Sequence, residues 1–258
     1  MHVALIQACF TTFVGDRPHT CGVVLDRREA VHTISQAELN AFAAAAHRPD
    51  ARAFGKIAVL RQDGIAVYQA GPTDSTAPVF CGNATAAALR FMRDNGSLSS
   101  TIVGAGANHE ARARVSASSV AQSWLVPVPV VEERIWRDQR VLLLDTLNSY
   151  ALIVGRLPEG VDADAARHDL VGAGLATKLA VISPHMIEFY NANGRHGAAP
   201  QTGLATMALA ARAVPWFAEL LLGMPSLPPI TQTKDGRLAI EMPAVTVELR
   251  ELALPQAA

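Results

Sequence analysis

The sequence predicts an internally duplicated α/β (α+β) fold with two halves, residues 1–120 and 121–258, each with a curved sheet around a central helix. One observation is a repeat, because GNATAA at residues 82–87 and GLATMA at residues 203–208 both read G-x-A-T-x-A. The other is that short apolar segments typical of strands surround each copy. Since the repeated residues are small and uncharged, strands can approach them closely, which favours a sheet that curls around a helix.

The first half reads in order as a strand pair, a helix, a hairpin and the first small-residue helix. HVALIQA and CGVVLD are apolar, β-branched segments on either side of a loop that contains Gly15 and Pro18. ISQAELNAFAAAA has helical spacing, with Ser35 as N-cap and Glu38 three residues later in a capping-box arrangement. KIAVLRQDGIAVYQA reads as two strands joined at an Asp-Gly turn, and GNATAAALRFMRDNG as a helix that ends at Asn-Gly. HEARARVSAS and SWLVPVPVV add extended segments.

The second half repeats this order. QRVLLLDTLNSYALIVG gives strands around a loop, DADAARHDLVGAGL gives a helix, and LAVISPHMIEFYNANGRHGAAPQ gives strands and a loop that leads to Gly203. The second small-residue helix follows, and RLAIEMPAVTVELREL closes the chain as strands. Two similar halves predict a cleft between them, with the start of both small-residue helices at that cleft.

Composition limits the partners and the compartment. The chain has 258 residues, a formal net charge of −1 and only three lysines, Lys56, Lys178 and Lys234. It therefore lacks the basic stripe that binds nucleic acid or an anionic membrane surface. No basic leader and no apolar run of about 20 residues is present, so we expect a cytoplasmic protein. Its three cysteines form no C-x-x-C pair and read as free thiols.

The residue before the repeated glycine differs between the two copies, Cys81 in the first and Thr202 in the second. A helix N-terminus carries unpaired N–H groups and a partial positive charge, so it attracts carboxylates. The same field stabilises a thiolate that directly precedes the helix, which makes Cys81 a candidate base or nucleophile. The alternative for a free cysteine is a buried, inert thiol.

Three segments resemble diaminopimelate epimerases and related cofactor-independent racemases. CGNATAAA is similar to their C-G-N-G signature, TGLATMALAA to their C-G-T-G signature, and DTLNSYALIV to their G-N-P-H stretch. The resemblance implies two halves with the active site between them, and proton abstraction next to a carboxylate without pyridoxal phosphate or any other cofactor. It also implies a substrate-binding set around Cys81 and Thr202 that consists of Gly82, Asn83, Asn148, Tyr150, Gly203 and Leu204. In that set the helix starts provide backbone N–H groups where negative charge develops.

Thr202 is a departure from the two-cysteine pattern. Threonine has no accessible ionised form near neutral pH, so it is not a paired base unless another group activates it. The Cys/Thr pair resembles dehydratases of the proline racemase type, in which one base removes the α-proton and a β-substituent leaves. The same one-base chemistry also suits an allylic isomerisation.

GDRPHTCGVVLD and FCGNATAAA also resemble segments of phenazine-biosynthesis-type isomerases, which use a glutamate in the first half as proton carrier. Glu38 is the candidate for that role, although helix capping explains it equally well. The aspartate that this family places before a proline falls on Ala199 here, so its pattern is broken too. Asp16, His19 and His196 are further acid candidates in loops, while the histidines show no metal-ligand spacing.

We therefore expect a cofactor-independent isomerase, of the epimerase or racemase type, that acts on a small carboxylate in amino acid metabolism. In this hypothesis Cys81 is the single base and Thr202 is its hydrogen-bonding counterpart. The alternatives are a one-base dehydratase or lyase, an allylic isomerase, and a member of the fold that binds a small acid without catalysis. The expected partner is a small carboxylate or amino-acid substrate, no metal is expected, and a homodimer is the candidate assembly.

Overall fold

The computed structural model describes residues 6–14, 17–25, 35, 37, 56–60, 64–69, 80–94, 101–103, 109–116, 118–172, 178–183, 186–191, 194–195, 200–222 and 227–250. The chain forms two compact units, Met1–Trp124 with Pro243–Ala258, and Leu125–Met242. The predicted halves, 1–120 and 121–258, stay a prediction. The units differ from them mainly at the C-terminal end, because residues 243–258 belong to the first unit.

The first unit is a closed sheet around a helix. Its strands are β1 (Ile6–Val14), β2 (Arg17–Leu25), β3 (Lys56–Leu60), β4 (Ile65–Gln69), β5 (Thr101–Val103), β6 (His109–Val115), β7 (Ser119–Val126) and the second part of β15 (Leu238–Arg250). Neighbouring strands follow the order β1-β2-β3-β4-β5-β6-β7-β15, and β15 also pairs with β1. The sheet therefore returns to its first strand, which leaves no open edge in this ring of strands.

The helix inside this sheet is α1 (Gly82–Asp94). It packs against β1, β2, β3, β4 and β6. The side chains of Ala84, Ala86, Ala87 and Ala88 are fully buried. Because alanine projects only a methyl group, strands on several sides of the helix can approach it at close-packed density. The prediction of a buried small-residue helix within a curved sheet is confirmed here.

The second unit has a six-stranded sheet in the order β13-β12-β11-β10-β9-β8. Its elements are β8 (Val131–Trp136), β9 (Gln139–Asp145), β10 (Ser149–Val154), α2 (Ala163–Gly172), β11 (Lys178–Ser183), β12 (Met186–Asn191), β13 (Gly194–Arg195), α3 (Gln201–Ala213), α4 (Pro215–Leu220) and β14 (Ile230–Gln232). Helix α2 packs on β11 and β12, whereas α3 packs on β9 and β10. β14 pairs with the first part of β15.

In both units a hairpin, a strand parallel to its second strand and an antiparallel partner of that strand precede the small-residue helix. In the first, the β1–β2 hairpin is followed by β3 parallel to β2, by β4 antiparallel to β3, and by α1. In the second, the β9–β10 hairpin is followed by α2, by β11 parallel to β10, by β12 antiparallel to β11, and by α3. Each small-residue helix therefore follows the same strand arrangement. Among the described residues, none of the helices combines the length and apolar character that crossing a membrane requires.

Gly203, in the first turn of α3, packs tightly against Phe189 of β12. A Cβ atom built on Gly203 would lie 2.4 Å from Cε1 of the Phe189 ring and 3.0 Å from Cγ of Pro200. Phe189 is buried, so its ring has little room to move. Packing against Phe189 therefore also requires glycine at position 203, which the sequence assigns to substrate binding.

We expect Gly203→Ala to lower the free energy of unfolding by about 1–3 kcal/mol, because overpacking outweighs the gain of about 1 kcal/mol in helix propensity. Urea unfolding of Gly203→Ala, Phe189→Leu and the double variant measures the coupling. The smaller side chain at position 189 should recover part of the loss. Strictly additive effects of the two substitutions would contradict this packing account.

Candidate active site

Cys81 lies immediately before α1 and is half-buried. Its carbonyl oxygen accepts hydrogen bonds from the backbone N–H of Thr85 at 2.9 Å and from Thr85 Oγ1 at 2.9 Å. The peptide at Cys81 is therefore part of the first helical turn. Since a helix leaves its first N–H groups without intrahelical partners, the thiol belongs to a residue at the positive end of the helix.

Both neighbours of Cys81 are fixed by contacts with β7. The Gly82 carbonyl oxygen accepts a hydrogen bond from Gln122 Nε2 at 3.0 Å, and Gln122 Oε1 in turn accepts one from Trp124 Nε1 at 3.0 Å. Phe80 packs edge-to-face on Trp124, with ring centroids 4.8 Å apart and an interplanar angle of 79°. Gln122 and Trp124 are buried. The chain on each side of the thiol is thus held in place.

Lys56 is a charged neighbour of Cys81 that sequence reasoning did not assign to the site. It is the first residue of β3 and pairs in register with Cys21 of β2. Burial lowers the pKa of Lys56, while Coulombic interaction with Cys81 and, to a smaller extent, with Cys21 acts in the opposite direction. Cys21 is buried in the core cluster against which Cys81 packs. A lysine and two cysteines therefore share the surroundings of the α1 start.

We expect the free energy of unfolding to depend on pH because of the lowered pKa of Lys56. The unfolded chain keeps the Lys56 proton up to the ordinary pKa of 10.5, whereas the folded protein releases it at lower pH. Between these two values the unfolded state binds more protons, so stability rises with pH. Lys56→Met lacks the cost of burying the charged ammonium, so it should be more stable than the wild type at neutral pH. The difference in stability should shrink as the pH approaches 10.5.

Urea unfolding under reducing conditions at several pH values tests this expectation. Lys234→Met is the matched control, because Lys234 is exposed. A stability difference between Lys56→Met and the wild type that stays constant over the whole range would contradict the account.

Asn83 follows Gly82 in α1 and is half-buried, and its Oδ1 atom is buried without a hydrogen-bond partner. A buried amide oxygen without a partner costs free energy, about 1–3 kcal/mol. A ligand that brings an N–H or O–H group to it would recover that cost. The predicted role of Asn83 in substrate binding stays a prediction, and this orphaned oxygen gives it a physical basis.

The start of α3 in the second unit carries Thr202. Thr202 is 5% exposed, and its Oγ1 atom lies 3.4 Å from the hydroxyl oxygen of Tyr150, which is 1% exposed. Pro200, the N-cap of α3, makes no side-chain capping bond. The N–H of Leu204 donates to the Pro200 carbonyl at 3.0 Å, so this predicted donor is already engaged within the helix.

Of the remaining predicted residues, the structure describes Asn148 and His19. Asn148 is half-buried in the loop between β9 and β10, two residues before Tyr150. His19 is exposed and lies within β2, not in a loop as predicted, because it pairs in register with Thr12 of β1. Glu38, Asp16 and His196 lie outside the described residues. In the described part of the chain, no group of three or more His, Cys, Asp or Glu residues is placed to hold a metal ion.

Comparison with known proteins identifies the fold. No protein-family model and no curated protein matches the chain in sequence. A predicted epimerase from Pseudomonas aeruginosa has a TM-score of 0.57 at 13% identity, over 98% of this chain and 99% of that one. A methylitaconate-delta-isomerase has a TM-score of 0.52 at 14% identity, over 95% of each chain. A phenazine biosynthesis protein of the PhzF family from Enterococcus faecalis has a TM-score of 0.49 at 11% identity, over 96% and 97%. The chain has the diaminopimelate epimerase-like fold that its sequence predicts.

Proposed function

We propose that the protein is a cofactor-independent isomerase that moves a proton at the carbon next to a carboxylate of a small amino-acid-like substrate. The observation that supports this most strongly is the placement of Cys81, a half-buried thiol at the start of α1 that interacts electrostatically with Lys56. The likeness to an isomerase and to a predicted epimerase supports the same class of reaction through the shared fold.

The proton is removed by the Cys81 thiolate. The start of α1 places unpaired N–H groups and a partial positive charge beside Cys81, and Lys56 interacts electrostatically with the same residue. The substrate carboxylate binds to the first N–H groups of α1, where its growing negative charge is stabilised as the carbon loses its proton. The orphaned Asn83 Oδ1 accepts an N–H or O–H group of the substrate.

Lys56 completes this proton transfer. When Cys81 takes up the substrate proton, the thiolate charge that favours the lysine ammonium disappears. Because burial lowers the pKa of Lys56, the ammonium then loses its proton more readily than an exposed lysine does. After the ammonium has released its own proton to water, the Lys56 amine takes up the proton from the Cys81 thiol, so the abstracted proton exchanges with solvent.

A single cysteine base also suits an allylic isomerisation or an elimination. Thr202 occupies the place of the second cysteine, and an alcohol does not act as the paired base by itself. This difference suits a reaction in which the two proton-transfer positions differ, such as an isomerisation of a double bond or an elimination, better than a symmetrical racemisation. The alternatives of a lyase, or of a small-acid-binding protein without catalysis, differ from the proposal in the product that appears.

The proposed function is tested by incubation of the wild-type protein with α-amino acids, α-hydroxy acids and unsaturated carboxylic acids in heavy water. NMR follows deuterium at the carbon next to the carboxylate, and chiral chromatography follows inversion. Exchange with inversion or with a shifted double bond is the expected result. Loss of a β-substituent would indicate the lyase, whereas binding of a carboxylate without exchange would indicate the non-catalytic alternative and overturn the proposal.

A further inference from the structure

The six-stranded sheet of the second unit ends at strand β8. Among the strands that the structure describes, β8 pairs with β9 alone. Large apolar side chains are exposed at this edge, since Ile135 within the strand is 67% exposed and Val128 and Val130 just before it are 59% and 83% exposed. An edge strand with unpaired backbone groups is a template on which another strand can pair.

The hairpin between β8 and β9 determines which backbone groups face this edge. Arg137 and Asp138 form its two-residue turn, with φ values of 47° and 64°, so Trp136 and Gln139 close the ladder. The closing pair of such a hairpin is hydrogen-bonded, and hydrogen-bonded and non-hydrogen-bonded pairs then alternate along the strands. The residues of β8 that direct their N–H and C=O groups away from β9 are therefore Val131, Glu133 and Ile135.

The charges of β8 are self-complementary about Glu133. Arg134 Nε donates to Glu132 Oε1 within the chain, and both side chains are exposed on one face of the strand. When two copies of β8 pair antiparallel about a two-fold axis at Glu133, Glu132 of each copy lies opposite Arg134 of the other. These are non-hydrogen-bonded pairs, in which opposite side chains are closest. Moving the axis by one residue in either direction brings Glu132 or Arg134 opposite the same residue of the second copy, which is a repulsive contact.

The other residues of the strand fit the same register. Val131 lies opposite Ile135 of the second copy, so the exposed isoleucine is covered by an apolar side chain. Glu133 meets Glu133 of the second copy, but each carboxylate already has partners in its own chain. Arg140 Nη2 lies 2.8 Å from Glu133 Oε1, and Trp216 Nε1 donates to Glu133 Oε2 at 3.2 Å. The charge of each glutamate at the axis is therefore balanced by an arginine.

We propose that β8 is the dimerisation edge of this protein, at which a second copy of the chain adds its own β8 antiparallel about Glu133. The two six-stranded sheets then form one continuous sheet. Charges on an edge strand usually prevent pairing with other strands. Here the order Glu-Glu-Arg repels the neighbouring registers and attracts a second copy in one register, so it provides specificity. The inference is independent of the proposed reaction, because it involves only residues of the second unit outside the candidate active site.

Sedimentation velocity over a series of protein concentrations tests the proposal with charge-reversal variants. The wild type should form dimers. Glu132→Arg and Arg134→Glu should each raise the dissociation constant at least tenfold, because each places like charges at both of the close pairs. An equimolar mixture of the two variants should form heterodimers about as tightly as the wild type dimerises, since the two arginines of one strand then face the two glutamates of the other.

Arg112→Glu is the matched control. Arg112 Nε donates to Glu110 Oε1 at 3.0 Å in the same i, i+2 arrangement, but its strand β6 has β5 and β7 as neighbours. This variant should dimerise as the wild type does, and circular dichroism verifies that each variant is folded. A wild type that is monomeric at all concentrations, or a dimer that both reversals in β8 leave unchanged, would overturn the proposal. A mixture of the two variants that associates no more tightly than either variant alone would overturn it as well.

Discussion

Replacement of Cys81 by alanine is expected to lower kcat about 10²–10⁴-fold while KM changes little. General-base catalysis contributes a factor of this size, and no other described thiol adjoins the start of α1. The substrate carboxylate should still bind, because the N–H groups of the helix and the Asn83 amide remain. Steady-state kinetics of the isomerisation, with substrate binding followed by calorimetry, measures the two effects separately.

Cys21→Ala is the matched control for this substitution. Cys21 is a cysteine of the same core cluster, buried in β2, and its replacement removes a thiol that does not directly precede the helix. Less than a tenfold loss is expected for Cys21→Ala. Equal losses for the two variants would mean that disturbance of the core, and not removal of a base, explains the effect.

Replacement of Gln122 by leucine is expected to lower the free energy of unfolding by about 2–4 kcal/mol. Leucine leaves the Gly82 carbonyl and the Trp124 indole N–H without the partners that Gln122 gives them. Each buried group without a partner costs about 1–3 kcal/mol. Since Gly82 adjoins Cys81, kcat should fall as well, because small displacements of a catalytic group are costly.

Urea unfolding and exchange kinetics of the same preparation test this second expectation. Gln232→Leu, at an exposed position of β14, is the control and should change stability by less than about 0.5 kcal/mol. An unchanged unfolding midpoint for Gln122→Leu would contradict the view that this side chain holds the start of α1.

The fold and helix α1, which Cys81 directly precedes, could be predicted because the sequence patterns that indicate them lie within short segments. A run of small residues without charge or proline identifies α1 and α3, and the repeated G-x-A-T-x-A places both starts. The hairpin over β3 and β4 follows from the Asp-Gly pair between two alternating apolar runs.

The rest of the site depends on contacts between residues that are distant in the sequence. Gln122 meets Gly82 across 40 positions, and Tyr150 meets Thr202 across 52. No periodicity marks such pairs, because they arise only when strands take their order in the sheet. The sequence does not single out Lys56 for the same reason, since it begins an ordinary strand and becomes notable through its interaction with Cys81.

The path of the last strand also depends on tertiary structure. β15 pairs with β14 through its first residues and with β1 through its last ones. Its alternating pattern fits a strand in either unit. The pairing of residues 246–250 with β1 shows that the chain returns to the first unit.

The most direct test of the account is deuterium incorporation from heavy water, followed by NMR at the carbon next to the carboxylate, for the wild type and Cys81→Ala with one substrate. The account predicts incorporation by the wild type and none above the uncatalysed rate by the variant. Equal incorporation by both proteins would contradict it, because the proton would then be removed by a group other than Cys81.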